Sequence, residues 1–393
     1  MSQDWPARAR ALAPAIAAAL TAIDAARALP EPLVDALRKG GFFRLLQPAS
    51  LGGAELTPMV FAETIAALAE ADASVAWCVC QGNGCAMAAA FLSEAAAAEI
   101  FGPEDGILAW GPVGPGRALP VEGGFVLDGT WHFASGSRHA SWLGAHVPLV
   151  DAAGTALRDD AGAPRTRTML FAKSAVRISD RWQVIGLKGT GSDSYTAEAL
   201  FIPAHHALSR ETPAERRETG PLFRFTANQV YAAGFAGVAL GIGQAMVAAL
   251  IALAETGKTS RGAGRSVREN QVVQSQLARS VARLGAARAY LRSVLGDAWA
   301  LACADAREGT ASFTPSGREA AMIRLAATFA IHEARDVVHT LYHAAGSTAI
   351  FEDQPFERRL RDINAVSQQS QGRQIHFESV GQILLGLPAE NLF

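Results

Sequence analysis

The residues best able to do chemistry are gathered in one stretch, Val121 to Trp142, which reads VEGGFVLDGTWHFASGSRHASW. Ser135 offers a hydroxyl, and His139 an imidazole, the side chain whose ordinary pKa lies nearest neutral pH. Trp131, Phe133 and Trp142 offer aromatic faces. Ser135-Gly136-Ser137 is small enough for a flat ligand to lie close against the backbone. Aromatic faces, a hydroxyl and an imidazole on one short segment suit the binding of a planar ring. The same residues also read as a β-hairpin with core aromatics, so the elements around them must decide.

Those elements have a clear order. Gly123-Gly124 and Asp128-Gly129 read as turns that bracket a short strand, Phe125-Val126-Leu127. Trp131 and Phe133 alternate with His132 and Ala134, the pattern of a half-buried strand. Upstream, residues 1–106 read as helices. Pro30 and Pro32 open a helix over Leu33 to Lys39, and Gly40-Gly41 ends it. Another helix places Phe61, Ile65 and Leu68 on one face and Glu63 and Glu70 away from it. Ser74 is expected to cap a further helix running through Trp77 and Met87.

Residues 107–222 change texture, with frequent Gly and Pro and short apolar runs. Ile107–Trp110, Met169–Ala172, Trp182–Ile185 and Ala199–Ile202 are further strand signals, and 151–167 reads as a hairpin loop. From 223 to 393 the helical period returns. Leu277, Leu284 and Leu291 recur every seventh residue with Val281 and Leu295 between them, as on a long bundle helix. Gly309 to Pro315 reads as a connection, after which Ser316 can cap a helix running to about Ala345. Helices, then strands, then a helical bundle make an α+β chain of three domains.

Composition excludes several functions. The 393 residues are 50% hydrophobic and 18% charged with a formal net charge of -2, which gives no reason to expect nucleic acid or an anionic membrane surface as partner. Cys78, Cys80, Cys85 and Cys303 fit neither a zinc ribbon nor a redox C-x-x-C spacing, so no metal site is read. They are expected to be buried free thiols in a reducing cytoplasm. The N-terminus does not read as a signal peptide. Thr226 to Ala254 carries no charge and is long enough to span a membrane, but Asn228, Gln229, Gln244 and four glycines interrupt it. Small residues on a long helix also permit close helix packing in a core or subunit interface, and no membrane span is expected.

Several motifs carry a family resemblance that covers nearly the whole chain. They are Leu33-Val-Asp-Ala-Leu-Arg-Lys-Gly-Gly-Phe-Phe, Pro48-Ala-Ser-Leu-Gly-Gly, the stretch described above, Gly186-Leu-Lys-Gly-Thr-Gly-Ser-Asp-Ser with Phe201-Ile-Pro203, then Gly346 and Arg358-Arg-Leu-Arg-Asp362. Together they resemble the acyl-CoA dehydrogenase fold: a helical N-terminal domain, a middle β-barrel or sandwich, and a C-terminal four-helix bundle. Within that fold the chain resembles the two-component, flavin-dependent monooxygenases that act on aromatic or heteroaromatic substrates. The resemblance implies that a flavin ring lies between the β domain and the bundle. It assigns Trp131, Phe133, Ala134 and Ser135 to the flavin-contacting strand. It also assigns Gly189, Thr190 and Ser192 to a loop able to approach a phosphate or ring edge through backbone N–H groups, and His343, Gly346 and Ser347 to a loop that often reaches the flavin of a neighbouring subunit.

Dehydrogenase and oxygenase differ in the base they need. A dehydrogenase requires a carboxylate to take the α-proton of a thioester while the flavin takes hydride. In its commonest arrangement this Glu follows the Arg-Asp pair, and here Ser370 stands in its place. A displaced base would be Glu255 or Glu269. The Arg-x-x-Phe-Gly motif that helps hold FAD is degraded to Arg261-Gly-Ala-Gly264. The oxygenase branch instead uses reduced FMN or FAD and O2 to form a C4a-hydroperoxide, and the protein excludes water and orients the substrate. That branch commonly has a His where Gln369 stands, which favours a substrate needing no base, such as an indole-like ring; His139 or His376 is the alternative proton acceptor. Ser135 is expected near the flavin edge. Gly189-Thr-Gly191 and Gly241-Ile-Gly243 do not complete a G-x-G-x-x-G, so a separate NAD(P)H-flavin reductase is expected as partner. The uncharged Thr226–Ala254 helix carries too much apolar surface for a monomer of this size, and the resemblance implies that such helices meet at a four-subunit core, so a cytoplasmic homotetramer acting on a small aromatic molecule is expected.

Overall fold

The computed structural model describes residues 4–112, 114–160, 162–210, 212–259, 264–308 and 316–389. Six helices come first: α1 (Trp5–Ala11), α2 (Ala13–Ala26), α3 (Glu31–Lys39), α4 (Pro58–Ala71), α5 (Ala73–Ala86) and α6 (Glu94–Phe101). Eight strands follow: β1 (Leu108–Trp110), β2 (Gly116–Val121), β3 (Gly124–Ala134), β4 (Trp142–Pro148), β5 (Thr166–Ala172), β6 (Arg177–Ser179), β7 (Asp193–Pro203) and β8 (Ala207–Leu208). The chain then returns to helix with α7 (Ala227–Glu255), α8 (Gln271–Glu308), α9 (Gly317–Ala345), α10 (Glu357–Gln368) and α11 (Ile375–Leu384). This is an α+β architecture with a strand region between two helical ones. Arg261 to Ala263 and the connection Gly309–Pro315 lie outside the described residues.

The strands form two four-stranded sheets, ordered β1-β4-β5-β8 and β2-β3-β7-β6. All pairings are antiparallel except β1 with β4. The 151–167 segment joins β4 to β5 as a hairpin, as its turn residues suggested. Tyr195 of β7 links the two sheets. Its ring stacks on Trp131 of β3 with centroids 5.4 Å apart, and its hydroxyl donates to the Gly144 carbonyl of β4. Two expectations fail here. Asp128-Gly129 is no turn: it is an irregularity inside β3, where the pairing with β7 shifts register between Leu127 and Gly129. Trp182–Ile185 is not a strand, because Trp182 Nε1 donates 3.1 Å to the Leu187 carbonyl and folds the segment back on itself.

Helix starts follow capping chemistry. Thr226 and Gln229 form a reciprocal capping box at the start of α7. At α5 the cap is Asp72, whose carboxylate accepts from Val75 N at 2.9 Å; Ser74 is already helical and its hydroxyl accepts from Gly189 N instead. Asp outranks an interior Ser because its charge also meets the positive end of the helix dipole.

Helix α7 is apolar enough to cross a membrane, yet 72% of its most apolar window is buried within the protein against α4, α5 and α9. Its small residues serve that internal packing: a Cβ on Gly241 would lie 2.3 Å from the Ala66 carbonyl oxygen of α4. On α8, Leu284, Leu291 and Leu295 are buried as the seven-residue spacing requires, while Val281 turns outward and is 52% exposed. Gly241→Ala is therefore expected to destabilise by about 1–3 kcal/mol through overpacking. Gly285→Ala, on an open face of α8 with no atom of the described residues near its missing Cβ, should stabilise by up to about 1 kcal/mol. Urea melts of the two variants check the opposite signs.

Candidate functional site

The end of β3 carries the strongest candidate. Trp131 is 1% exposed and belongs to the sandwich core. Strict alternation would bury Phe133 beside it, but Phe133 adopts φ 62° at a second register shift between Trp131 and Ala134. That left-handed residue flips the side chain outward, and Phe133 is 55% exposed. The expectation that Trp131 and Phe133 share one face is thus corrected by the bulge. Trp131 supports the strand from inside and Phe133 is the ring that faces out. Trp182 meets it edge-on, with centroids 6.1 Å apart.

Immediately after Phe133 the chain turns inward. Ala134 is buried and pairs with Asp193, and Ser135 is 7% exposed. Ser135 Oγ lies 3.0 Å from Trp77 Nε1 of α5 and 2.7 Å from Ser192 Oγ. Ser192 Oγ is in turn 2.7 Å from Thr190 Oγ1, which donates to the Leu187 carbonyl at 3.0 Å. Ser135, Thr190 and Ser192 therefore meet in one buried hydroxyl chain. Trp77 joins them, although sequence reading saw only a helix residue. A lone Trp inside an apolar Ala- and Cys-rich helix carries no local signal that its N–H faces a serine across the fold.

Gly189 departs from expectation. Its N–H donates to Ser74 Oγ at 3.2 Å, and the space a Cβ would need is filled by Ile23 and Ser74. The glycine lets the loop dock on α2 and α5, and its N–H does not face an open ligand site. Asp193 holds a bidentate ion pair with Arg138, at 2.8 and 3.1 Å. This fixes the carboxylate rather than leaving it as a base.

His139 packs against Phe43, with 5.4 Å between ring centroids. Burial, then the Lys173 and Arg38 charges, push its pKa down to about 4, so the imidazole is neutral at pH 7. Gln369 lies at the corner between α10 and α11. Its Oε1 accepts from Gln371 N at 2.9 Å, while its buried Nε2 has no partner among the described residues. His376 approaches the Ser370 carbonyl at 2.6 Å in the same corner. His343 and Gly346 line a separate cleft of about 280 Å³ with Arg265, Asn270 and Val273, and Ser347 follows in the next turn. The structure thus brings Phe133, Ser135, Thr190 and Ser192 together. His139 lies against the adjoining Gly136 turn, whose N–H donates to the Thr190 carbonyl, while the Gln369 corner and the His343 loop are formed by other elements.

Neither displaced base is enclosed. Glu255 and Glu269 are both exposed, and Glu269 is held by Ser266. Burial pushes the Cys85 thiol up to about 12 and raises Cys78 and Cys80 as well, so these cysteines are unreactive packing residues. Glu99, His205 and His206 bring ligand atoms within 4.8 Å of one another, although no metal site was read from the sequence. His206 lies 3.1 Å from Glu99 and packs on Trp142, a contact that ties α6 to the end of β7.

Residues 233–372 match the family described as "Acyl-CoA dehydrogenase, C-terminal domain". Indole-3-acetate monooxygenase of Pseudomonas putida is 27% identical over 392 residues, covering 97% of this chain and 96% of that one. The flavin-dependent monooxygenase oxygenase subunit HsaA of Rhodococcus jostii is 27% identical over 359 residues, covering 86% and 87%. Among solved structures, XiaF from Streptomyces sp. in complex with FADH2 and glycerol superposes with a TM-score of 0.88 at 25% identity, over 99% of this chain and 96% of that one. The chain has the acyl-CoA dehydrogenase fold. Within it, these relatives are of the flavin-dependent oxygenase branch.

His139 makes a pH prediction. Its folded pKa, about 4, lies below the ordinary 6.5, so between those values the unfolded chain binds a proton that the folded chain does not. Stability is then full above pH 6.5 and falls as pH drops towards 4. Between pH 7 and pH 5 the wild type should lose about 2 kcal/mol more than His139→Gln. Urea melts at the two pH values measure the difference.

Proposed function

We propose that this chain is the oxygenase component of a two-component flavin-dependent monooxygenase that hydroxylates a small aromatic or heteroaromatic compound, with an indole-like acid as the first candidate. The observation that carries this reading is Phe133, an aromatic ring held outward in a left-handed conformation directly beside the buried Ser135 hydroxyl. An apolar ring face next to a hydrogen-bonding edge fits an isoalloxazine, and backbone strain at such a position is typical of ligand sites. Phe133 would contact the ring face and Ser135 its polar edge, and the buried wall of Trp77, Thr190 and Ser192 keeps water from that edge. The reduced flavin, FMN or FAD, supplies oxygen activation when bound. The relatives named for indole-3-acetate and for an oxygenase subunit support the substrate class and the need for a separate reductase.

The test supplies FMN or FAD reduced by an independent NADH-flavin reductase, with O2 and indole-3-acetate, and follows product by mass spectrometry. A product heavier by one oxygen is expected, and none when the reductase is omitted. Rapid NADH oxidation by the purified chain alone overturns the two-component reading, and flavin bleaching by an acyl-CoA under anaerobic conditions favours a dehydrogenase. Ser135→Ala should retain the fold and lower hydroxylation by the equivalent of about 1.5–3 kcal/mol, the scale of one hydrogen bond to a charged group.

We further propose a cytoplasmic homotetramer. With α7 engaged inside the chain, the support for assembly is the set of exposed apolar side chains on the bundle: Ile251, Val272, Val281 and Leu301, with Ile350 and Phe351 beside the His343 loop. Such an assembly would bring the His343, Gly346 and Ser347 loop to a neighbour's flavin site. Light scattering should give four times the chain mass, and a monomer in dilute buffer overturns it.

A further inference from the structure

Away from Phe133 and Ser135, one cluster has the composition of a metal centre. Strand β7 ends at Pro203, and the chain makes a single 3-10 turn, Ala204–His206, before β8. In a strand two consecutive side chains would face opposite ways. Across this turn the rings of His205 and His206 lie together, with centroids 4.3 Å apart and planes inclined at 64°. Helix α6 brings Glu99 to the same place. Its inner face, with Ala96, Ala97, Ile100 and Phe101, is buried, which leaves Glu99 outward. His206 Nε2 lies 3.1 Å from Glu99 Oε2, and a ring nitrogen of His205 comes within 4.8 Å of a ligand atom of each. His206 is buried, and Trp142 meets its ring edge-on at 5.2 Å, so this ligand is held in place. Glu99 and His205 are exposed and free to turn towards it.

We propose that Glu99, His205 and His206 bind one zinc ion at the corner between α6 and the end of β7. Two imidazole nitrogens and one carboxylate oxygen are a zinc donor set, whereas magnesium and calcium take oxygen ligands. Bonds of about 2.0–2.1 Å at tetrahedral angles place ligand atoms about 3.3 Å apart. The His206–Glu99 pair already stands near that spacing, so the exposed His205 makes the main adjustment. The ion takes the place of the hydrogen this pair now shares, and the imidazole stays neutral by carrying its proton on the other ring nitrogen. Three protein ligands leave a fourth position to water. Solvent reaches the cluster, since His205 also lines a cleft of about 520 Å³ with Phe91, Ser93 and Arg217. The site is separate from the wall at Ser135. Strand β7 starts at Asp193, next to Ser192, and its 11 residues span about 30 Å before His205 is reached. An occupied site would fasten α6 to the strand region, so its effect falls on stability rather than on hydroxylation.

The test titrates Zn2+ into the full chain, first stripped with a chelator, against a zinc-sensitive dye. One zinc per chain is expected, and an excess of Mg2+ should not displace it. Glu99→Gln and His205→Ala change exposed side chains and should each weaken binding by about tenfold or more, since groups that merely support metal ligands already act on that scale. Cys303 is the one cysteine that is not buried, so Cys303→Ser is the control for adventitious thiol binding and should leave the affinity unchanged. Zinc should also raise the Tm of the wild type and leave that of the Glu99→Gln/His205→Ala double variant where it is. The Tm of the double variant without zinc reports whether it folds. A wild type that binds zinc no more tightly than the folded double variant overturns the proposal, as does binding that is lost in Cys303→Ser. Either result leaves Glu99 and His206 as a hydrogen-bonded tie and does not touch the flavin reading.

Discussion

One turn of α10 holds the candidate site together. Asp362, buried there, accepts a 2.6 Å hydrogen bond from the Leu187 N–H. One turn earlier Arg358 reaches Asp72, the cap of α5, at 2.7 Å, and also Asp24 of α2 at 3.1 Å. These contacts fix the two ends of the hydroxyl chain: Leu187 supplies the carbonyl at one end, and α5 carries Trp77 at the other. Burial first, and Asp72 second, push the Asp362 pKa up to about 7, against the pull of the Leu187 N–H and two arginines. Removing either partner of such a buried pair leaves the other uncompensated, which is far costlier than losing a surface ion pair. The Arg358-Arg-Leu-Arg-Asp362 motif is thus explained by position rather than by catalysis. Gly186 belongs to the same joint, since a Cβ there would lie 2.2 Å from the Arg361 carbonyl oxygen.

Against that fixed frame, Phe133 can be held in a conformation it would not choose. A left-handed non-glycine residue costs on the order of 1–3 kcal/mol and persists only where its neighbours determine it. Here Ser135 N donates to the Phe133 carbonyl at 2.9 Å, and Ala134 is paired with Asp193. Arg138 then joins Asp193, Asp180 and the Ala26 carbonyl. Strand, turn and helix α2 therefore converge on the residue whose ring faces out. The bulge inverts one side chain without disturbing the stacked pair of Trp131 and Tyr195 beneath it.

Much of this was legible in the sequence. The order of helices and strands followed from apolar period and turn residues, and Ser135, Thr190 and Ser192 were readable as a site through the family motifs. What could not be read depends on contacts between distant segments. Period-two alternation placed Phe133 with Trp131, because a bulge leaves no mark in a single strand's pattern. Ser74 looked like the cap of α5 because Asp72 and Ser74 are both good caps, and only the approach of Gly189 assigns Ser74 elsewhere. The charge-free α7 suggested a subunit interface, yet hydropathy alone does not distinguish a neighbour's surface from α4 of the same chain. Trp77 was missed because its role depends on a serine 58 residues away in sequence.

The carboxylates and imidazoles of this wall bear on which reaction it can support. Asp193 is locked by an ion pair with Arg138, and Asp362 is buried and accepts from the Leu187 N–H, so both serve structure. His139, with a pKa near 4, is a weak proton acceptor at neutral pH. A reaction that begins by removing a proton from carbon would have to use Asp362, whose pKa is near neutral, but that carboxyl is buried and already accepts from the Leu187 N–H. Oxygen transfer to an electron-rich ring asks less of them: a flat surface, an edge hydrogen bond, and the exclusion of water. Phe133 offers the surface and Ser135 the edge, and the buried side chains behind Ser135 keep solvent away.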